Sequence, residues 1–122
     1  MAKHIKLGKT GEQLAVKYLN NKGFEIIETN WRTKNAEIDV VALRFNKIHF
    51  IEVKTRSNDN FGLPEESVNF AKQKKIADAA DEYINEKNID LEVQFDIVAI
   101  IKNKKSYKIE LIEEAFYPYE IN

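Results

Sequence analysis

Three carboxylates and one ammonium stand in two short strings, Glu37-Ile38-Asp39 and Glu52-Val53-Lys54. Each string lies among β-branched and apolar residues that read as a strand. Residues two apart in a strand point to the same face, so Glu37 sides with Asp39 and Glu52 with Lys54. If the two strands are neighbours, the four groups converge. Crowded carboxylates need positive charge among them, and a divalent metal held by oxygen is the usual supply. Asp39 and Glu52 would then hold Mg²⁺ (or Mn²⁺), leaving positions for water and a phosphate oxygen. Lys54 would orient that water or stabilise charge developing on the phosphate. This is equipment for phosphodiester hydrolysis. Surface pairing of Glu and Asp with Lys across two strands, worth under about 1 kcal/mol each, accounts for the same residues. The two strings alone leave both readings open.

The elements that must position these strings are legible around them. Gly8 to Lys22 reads as a helix with an apolar stripe of Leu14, Ala15, Tyr18 and Leu19. Thr10 with Gln13 suits a capping box, and Gly23 a helix stop. Phe24 to Glu28 suits a strand, followed by a polar connection from Thr29 to Asn35 that holds Trp31 and Arg32. Ile38 to Leu43 and Ile48 to Thr55 form a hairpin turning at Asn46-Lys47. Ile38, Val40 and Ala42 should line one face of the first arm, with Glu37, Asp39 and Val41 on the other. In the second arm His49, Ile51 and Val53 oppose Phe50, Glu52 and Lys54. A loop runs from Arg56 to Pro64. Asn69 is a suitable N-cap for a helix to about Lys87, buried through Ile76, Ala79, Ala80, Tyr83 and Ile84. Val93 to Ile101 is apolar enough for a strand covered on both faces. Tyr107 to Ile112 reads as an edge strand. The expected fold is one α/β domain over residues 1–122, a mixed sheet flanked by helices.

The bulk numbers agree with a globular chain. The 122 residues are 43% hydrophobic and 32% charged. The absence of cysteine excludes disulfides, thiolate nucleophiles and cysteine-type zinc sites. No apolar run of signal-peptide or membrane-spanning length appears, so a cytoplasmic protein away from membranes is expected. Net charge is −1, but it is unevenly spread. Residues 1–35 carry seven basic and three acidic side chains, residues 36–75 seven and six, and residues 76–122 five and eleven. The basic surplus shares its part of the chain with the two strings, where a polyanion would dock.

The strings also stand in a longer ordered series of fragments. Gly8-x-x-Gly11-Glu12-x-x-Ala15, Tyr18-Leu19 and Gly23-Phe24 come first, then Asn30-Trp31-Arg32 and Glu37-Ile38-Asp39-Val40-Val41-Ala42. Phe50-Ile51-Glu52-Val53-Lys54-Thr55-Arg56, Phe61-Gly62, Lys72-Gln73 and Phe95-Asp96-Ile97-Val98-Ala99-Ile100 follow. Over roughly residues 8–101 this series resembles the YraN-type family of small endonuclease-like proteins. It is similar more widely to the PD-(D/E)XK, or restriction endonuclease-like, superfamily, and more distantly to archaeal Holliday-junction resolvases. The resemblance implies an α-β-β-β-α-β core plus the C-terminal edge strand. It implies a Mg²⁺-dependent DNA endonuclease, in a repair or recombination setting, with Asp39, Glu52, Lys54 and Glu37 in catalysis. It adds Glu12, from the first helix, to Asp39 and Glu52 as a metal ligand. Branched or single-stranded DNA is the implied partner, and a homodimer follows by analogy with resolvases that make two cuts.

Two positions depart from the family pattern. Ala36 stands where Gly usually precedes the first string, which matters if that position needs a left-handed backbone. Gln94 stands where Arg usually precedes Phe-Asp, removing either a phosphate contact or a partner for Asp96. Arg32, Arg56, Lys72 and Gln73 are candidate contacts to nucleic acid, with surface solvation as the alternative. Trp31 reads as a buried anchor, with stacking on an unpaired base as the alternative. Asp96 reads as structural, and His49 should face away from Glu52. A nucleic-acid-binding module that does not cut, and a protein-interaction domain with an incidental charged patch, are the competing functional readings.

Overall fold

In the computed structural model, residues 7–34, 36–57 and 68–117 are described. Helix α1 spans Leu7–Asn21, β1 Glu25–Arg32, β2 Glu37–Arg44 and β3 Lys47–Arg56. Helix α2 (Phe70–Lys87), β4 (Glu92–Lys102) and β5 (Tyr107–Ile112) follow among the described residues. The five strands form one sheet in chain order, β1 to β5. The β3–β4 pair is parallel and the other three pairs are antiparallel. A parallel pair needs a crossover, and α2 supplies it. Fold and element order are those expected of a mixed α/β sheet with helices.

Each helix covers one face. Ala15 and Leu19 of α1 bury against Val40, Ala42, Ile51, Val98 and Ile100. Ile76, Ala79, Ala80 and Tyr83 of α2 bury against Val41, Ile48, Phe50, Phe95 and Ile97. Two opposed apolar layers explain why β4 is buried from Gln94 through Ile100. No helix among the described residues is long and apolar enough to cross a membrane.

The helix ends follow local chemistry. Asn69 caps α2, its side chain accepting the Lys72 N–H at 2.9 Å. Asn88 closes α2 in the left-handed region, at φ 54°. Gly23, at φ 92°, lets the chain reverse after α1, with the Phe24 N–H returning to the Leu19 carbonyl at 3.1 Å. The capping box proposed at Thr10 and Gln13 does not form, because α1 already runs from Leu7 and Thr10 lies inside it.

Two other expectations are corrected. The segment from Thr29 is not a polar connection: β1 continues to Arg32, with Trp31 opposite Ile38 and Arg32 opposite Glu37. A register shift between Ile26 and Glu28 and a left-handed Asn30 (φ 52°) carry the strand through this polar stretch. Trp31 packs edge-on against Tyr83 at 5.1 Å, an anchor to α2. The hairpin turns at Phe45-Asn46 rather than Asn46-Lys47. Both turn residues have positive φ, 54° and 66°, as a two-residue turn matching the strand twist demands. The 58–67 segment, which holds Phe61-Gly62 and most of the expected loop, and Asn35 lie outside the described residues.

Candidate functional site

The β2–β3 ladder runs from Arg44 opposite Lys47 to Val40 opposite Ile51 and stops there. Strand β2 stays paired with β1 as far as Glu37, while β3 continues beside β4 to Arg56. The sheet therefore forks after Val40. Asp39 sits at the fork, and its Oδ2 accepts the Val53 N–H at 2.8 Å. A side chain thus takes over where the backbone ladder ends. The fork also breaks the expected alternation. Ile38 joins Val41 in the layer under α2 instead of following Val40 and Ala42 to the other face.

Glu52 and Lys54 follow Phe50 along β3 on the side facing α2. Glu52 is buried, its side chain 7% exposed, yet it is not alone. Lys72 Nζ, from the first turn of α2, lies 2.6 Å from Glu52 Oε2, and Lys54 Nζ lies 3.7 Å from the same oxygen. One buried carboxylate is shared by two ammonium groups. Asp39 is pushed up to about 7 by burial first, then by Glu52, against the pull of the Val53 hydrogen bond, with further contributions from Glu12 and Glu37. The other three acids therefore all act on Asp39. Burial, and after it the neighbouring Lys72 through hydrogen bonding and charge, holds Lys54 below the usual lysine range. Burial is also the largest effect on Lys72 and works against its charge, but its hydrogen bonds to Glu52 and Lys54 and the charges of Glu52 and Asp39 together outweigh this and raise it.

Two clefts flank the fork. One, of about 390 Å³, is lined by Ala36, Glu37, Asn69, Lys72, Lys75 and Ile76. The other, of about 380 Å³, is lined by Glu12, Gln13, Val16, Thr29 and Asn30. Glu12 reaches this region because Gly11 lets α1 approach β3 closely. A Cβ at Gly11 would run into the Thr55 hydroxyl. That signal, a Gly beside the acidic residue of a helix, was present in the sequence and carries the placement.

The remaining candidates divide. Arg32 is exposed, with Nε 3.4 Å from Glu37 Oε2. Arg56 is the last residue of β3 and half-buried. Gln73 donates to the Val68 carbonyl at 2.9 Å, which anchors the segment before α2. Lys72, read in the sequence as a candidate contact to nucleic acid, leans toward the site as its spacing before Ile76 allows, and it is placed on Glu52 itself. Among the described residues no group of three His, Asp or Glu side chains is arranged to hold a metal ion.

Both departures from the family pattern find a structural account. Ala36 is bonded to Thr33 in both directions: the Thr33 N–H donates to the Ala36 carbonyl at 2.8 Å and the Ala36 N–H donates to Thr33 Oγ1 at 3.0 Å. Gln94 is a partner for Asp96: its Nε2 donates to Asp96 Oδ1 at 2.9 Å, and Lys47 donates to its Oε1 at 3.3 Å. Asp96 also accepts the Glu114 N–H at 2.9 Å and pairs with His49 Nδ1 at 2.7 Å. This buried network lies toward the hairpin end of the sheet, where Arg44 reaches Glu113 at 2.8 Å.

Comparison with known proteins agrees with the ordered fragments. The model of the uncharacterised protein family UPF0102 matches residues 11–100. A UPF0102 protein of Flavobacterium psychrophilum is 46% identical over 119 residues, covering 98% of this chain and 100% of its own length. One from Christiangramia forsetii is 48% identical over 117 residues, covering 96% and 98%. One from Alkaliphilus oremlandii is 44% identical over 114 residues, covering 91% and 97%. Matches over nearly the full length of chain and relatives, spanning the fork and both helices, establish that this protein belongs to the uncharacterised family UPF0102, the YraN family.

Proposed function

We propose that the protein is a divalent-metal-dependent endonuclease acting on DNA, with the forked end of the sheet as its active site. The observation that carries this reading is the position of Asp39. It stands where β2 leaves β3, beside buried Glu52, and feels Glu12 and Glu37 as well. Three residues of the D…E-x-K pattern thereby meet at an open end of the sheet, between two clefts. The element order supports a restriction endonuclease-like fold.

The donor chemistry fits a hard cation. Asp39, Glu52 and Glu12 offer only carboxylate oxygen, the ligand type Mg²⁺ and Mn²⁺ take. Burial and the charges of Glu52, Glu12 and Glu37 raise Asp39 to about 7, a load that a cation held among these acids would relieve. The acids are not yet arranged to enclose an ion, so Glu52 must turn from Lys72. When bound, such an ion polarises a phosphate oxygen and lowers the pKa of a water. Lys54, fixed on β3 by pairing with β4, sets its ammonium against the phosphate charge. Glu37 lines the rim of the cleft and assists there in orienting water.

A second reading is binding without cutting. The Lys72–Glu52 pair favours it, because a carboxylate already neutralised by the protein has less need of a metal. Incubation with branched, flapped, single- and double-stranded DNA in Mn²⁺ separates the two. Wild type should cut at least one form, while Lys54→Ala and Glu52→Gln should lose roughly a hundredfold or more in rate and still bind. Equal cleavage by all three proteins would mark a contaminant and sink the nuclease reading. Binding by wild type with no cleavage in any divalent metal would favour the second.

A further inference from the structure

Lys72 is bound to the wrong partner for a residue that only contacts substrate. Its ammonium, on a side chain 41% exposed, reaches inward to a carboxylate that is 7% exposed. Lys54 is already within 3.7 Å of the same oxygen. A divalent ion at Glu52 would face both ammonium groups, each repelled twice as strongly as by a single charge at that distance. One of them must yield. Lys54 is more enclosed and its backbone is locked in the β3–β4 ladder opposite Ala99. Lys72 stands in the first turn of α2 and lines the 390 Å³ cleft with Lys75, Asn69 and Glu37. It has somewhere to go, and that place carries a second lysine.

We propose that Lys72 is a switch coupling cation loading to capture of the DNA backbone. In the empty site it serves as the counter-ion of Glu52. When a cation takes Glu52, the Lys72 ammonium is released into the cleft beside Lys75, where it meets a backbone phosphate. This rests on the nuclease-type reading of the site and extends it: metal and DNA bind cooperatively through one side chain. Coupling between two ligands is reciprocal, so the cation strengthens DNA binding by the factor by which DNA strengthens cation binding.

The experiment measures binding rather than activity. Affinity for a labelled flapped duplex is followed by anisotropy with and without Ca²⁺, a divalent ion taking oxygen ligands, at matched ionic strength. Affinity for Ca²⁺ alone is followed by calorimetry. In the wild type, Ca²⁺ should tighten DNA binding by roughly tenfold. Lys72→Met should lose most of that gain and bind Ca²⁺ alone more tightly than wild type, since no ammonium competes for Glu52. Lys75→Met should weaken DNA binding but keep the Ca²⁺ dependence. Thermal melting confirms that the variants are folded. If Lys72→Met keeps the full Ca²⁺-dependent gain, or binds Ca²⁺ no better than wild type, the switch is overturned while the site stands. If the wild type binds neither Ca²⁺ nor Mn²⁺, the metal reading fails and the switch with it.

Discussion

The Asp39 carboxylate accepts the Val53 amide proton at 2.8 Å, across the gap where β2 parts from β3. A single side chain both terminates the strand pairing and stands among the other acids. Structure and chemistry therefore make opposed demands on Asp39. An amide would satisfy Val53 as well as a carboxylate does, without carrying charge into a buried, acid-rich place. In the metal-free protein, Asp39→Asn should raise stability near pH 8. The same variant should abolish any rise in melting temperature on adding Mg²⁺ or Mn²⁺. A cation at one hundred times its Kd stabilises by about 2.7 kcal/mol, so the loss is easily read. Equal cation protection of Asp39→Asn and wild type would remove Asp39 from the proposed ligands.

The same residue sets a pH dependence with a definite sign. The folded-state pKa of Asp39 is raised to about 7 from an ordinary 3.8. Between these values the folded protein holds a proton that the unfolded chain has lost. Stability then falls as pH rises. The contribution is intact below about pH 4 and lost progressively through pH 7, by an amount on the order of a few kcal/mol. Denaturant titrations from pH 4 to 8 should show this decline in wild type and its absence in Asp39→Asn. Saturating divalent cation should flatten it.

How far the sequence revealed this arrangement depends on which contacts are periodic. The alternation of β3 placed Glu52 and Lys54 correctly on the side opposite Ile51. Periodicity of α2 gave Ile76, Ala79, Ala80 and Tyr83, and Asn69 announced its cap. The fork did not show, because a ladder ending at Val40 leaves Ile38-Asp39-Val40 looking like any half-buried strand. Ile38 consequently went to the wrong face. The Lys72–Glu52 bond was equally hidden, since it joins residues whose closeness exists only after α2 has crossed the sheet. Trp31 and Arg32 looked like loop because Asn30, left-handed within β1, breaks the local strand signal.

Gly11 makes a prediction about placement rather than chemistry. A Cβ at Gly11 meets the Thr55 hydroxyl, and of the three χ1 wells of Thr55 only the one that turns Hβ toward α1 moves both branches aside, so either Thr55 leaves its rotamer or α1 shifts. Gly11→Ala should push α1 away from β3 and cost about 1–3 kcal/mol, as overpacking does. Because Glu12 follows directly, cation affinity should fall along with stability. Gly11→Ala paired with Thr55→Ala should recover much of both, which a helix-propensity effect of the glycine alone would not produce.

Asp96 offers the contrasting case of a buried carboxylate whose partners lie outside the proposed site. It is fully buried and accepts from His49, Gln94 and the Glu114 backbone. Removing one partner of such a network leaves the others uncompensated. Asp96→Ala should destabilise the protein by about 3–5 kcal/mol. Cation and DNA affinity of the folded fraction should be unchanged, because the network lies toward the hairpin end of the sheet. A selective loss of DNA binding at unchanged stability would give Asp96 a part in the functional site.

Phe45 occupies a turn position that favours Asn or Gly. It is 82% exposed and left-handed at φ 54°. A side chain of that size in this conformation costs about 1–2 kcal/mol. In return the Arg44 guanidinium lies over its ring at 4.8 Å, and such an exposed contact is worth about 0.5–1 kcal/mol. The same guanidinium also lies over Phe24 at 4.0 Å and reaches Glu113, so it keeps its place without Phe45. Phe45→Asn should therefore stabilise the protein by about 0.5–1 kcal/mol, seen as a higher denaturant midpoint at unchanged slope. A lower midpoint would show that the Arg44–Phe45 contact outweighs the strain of the turn.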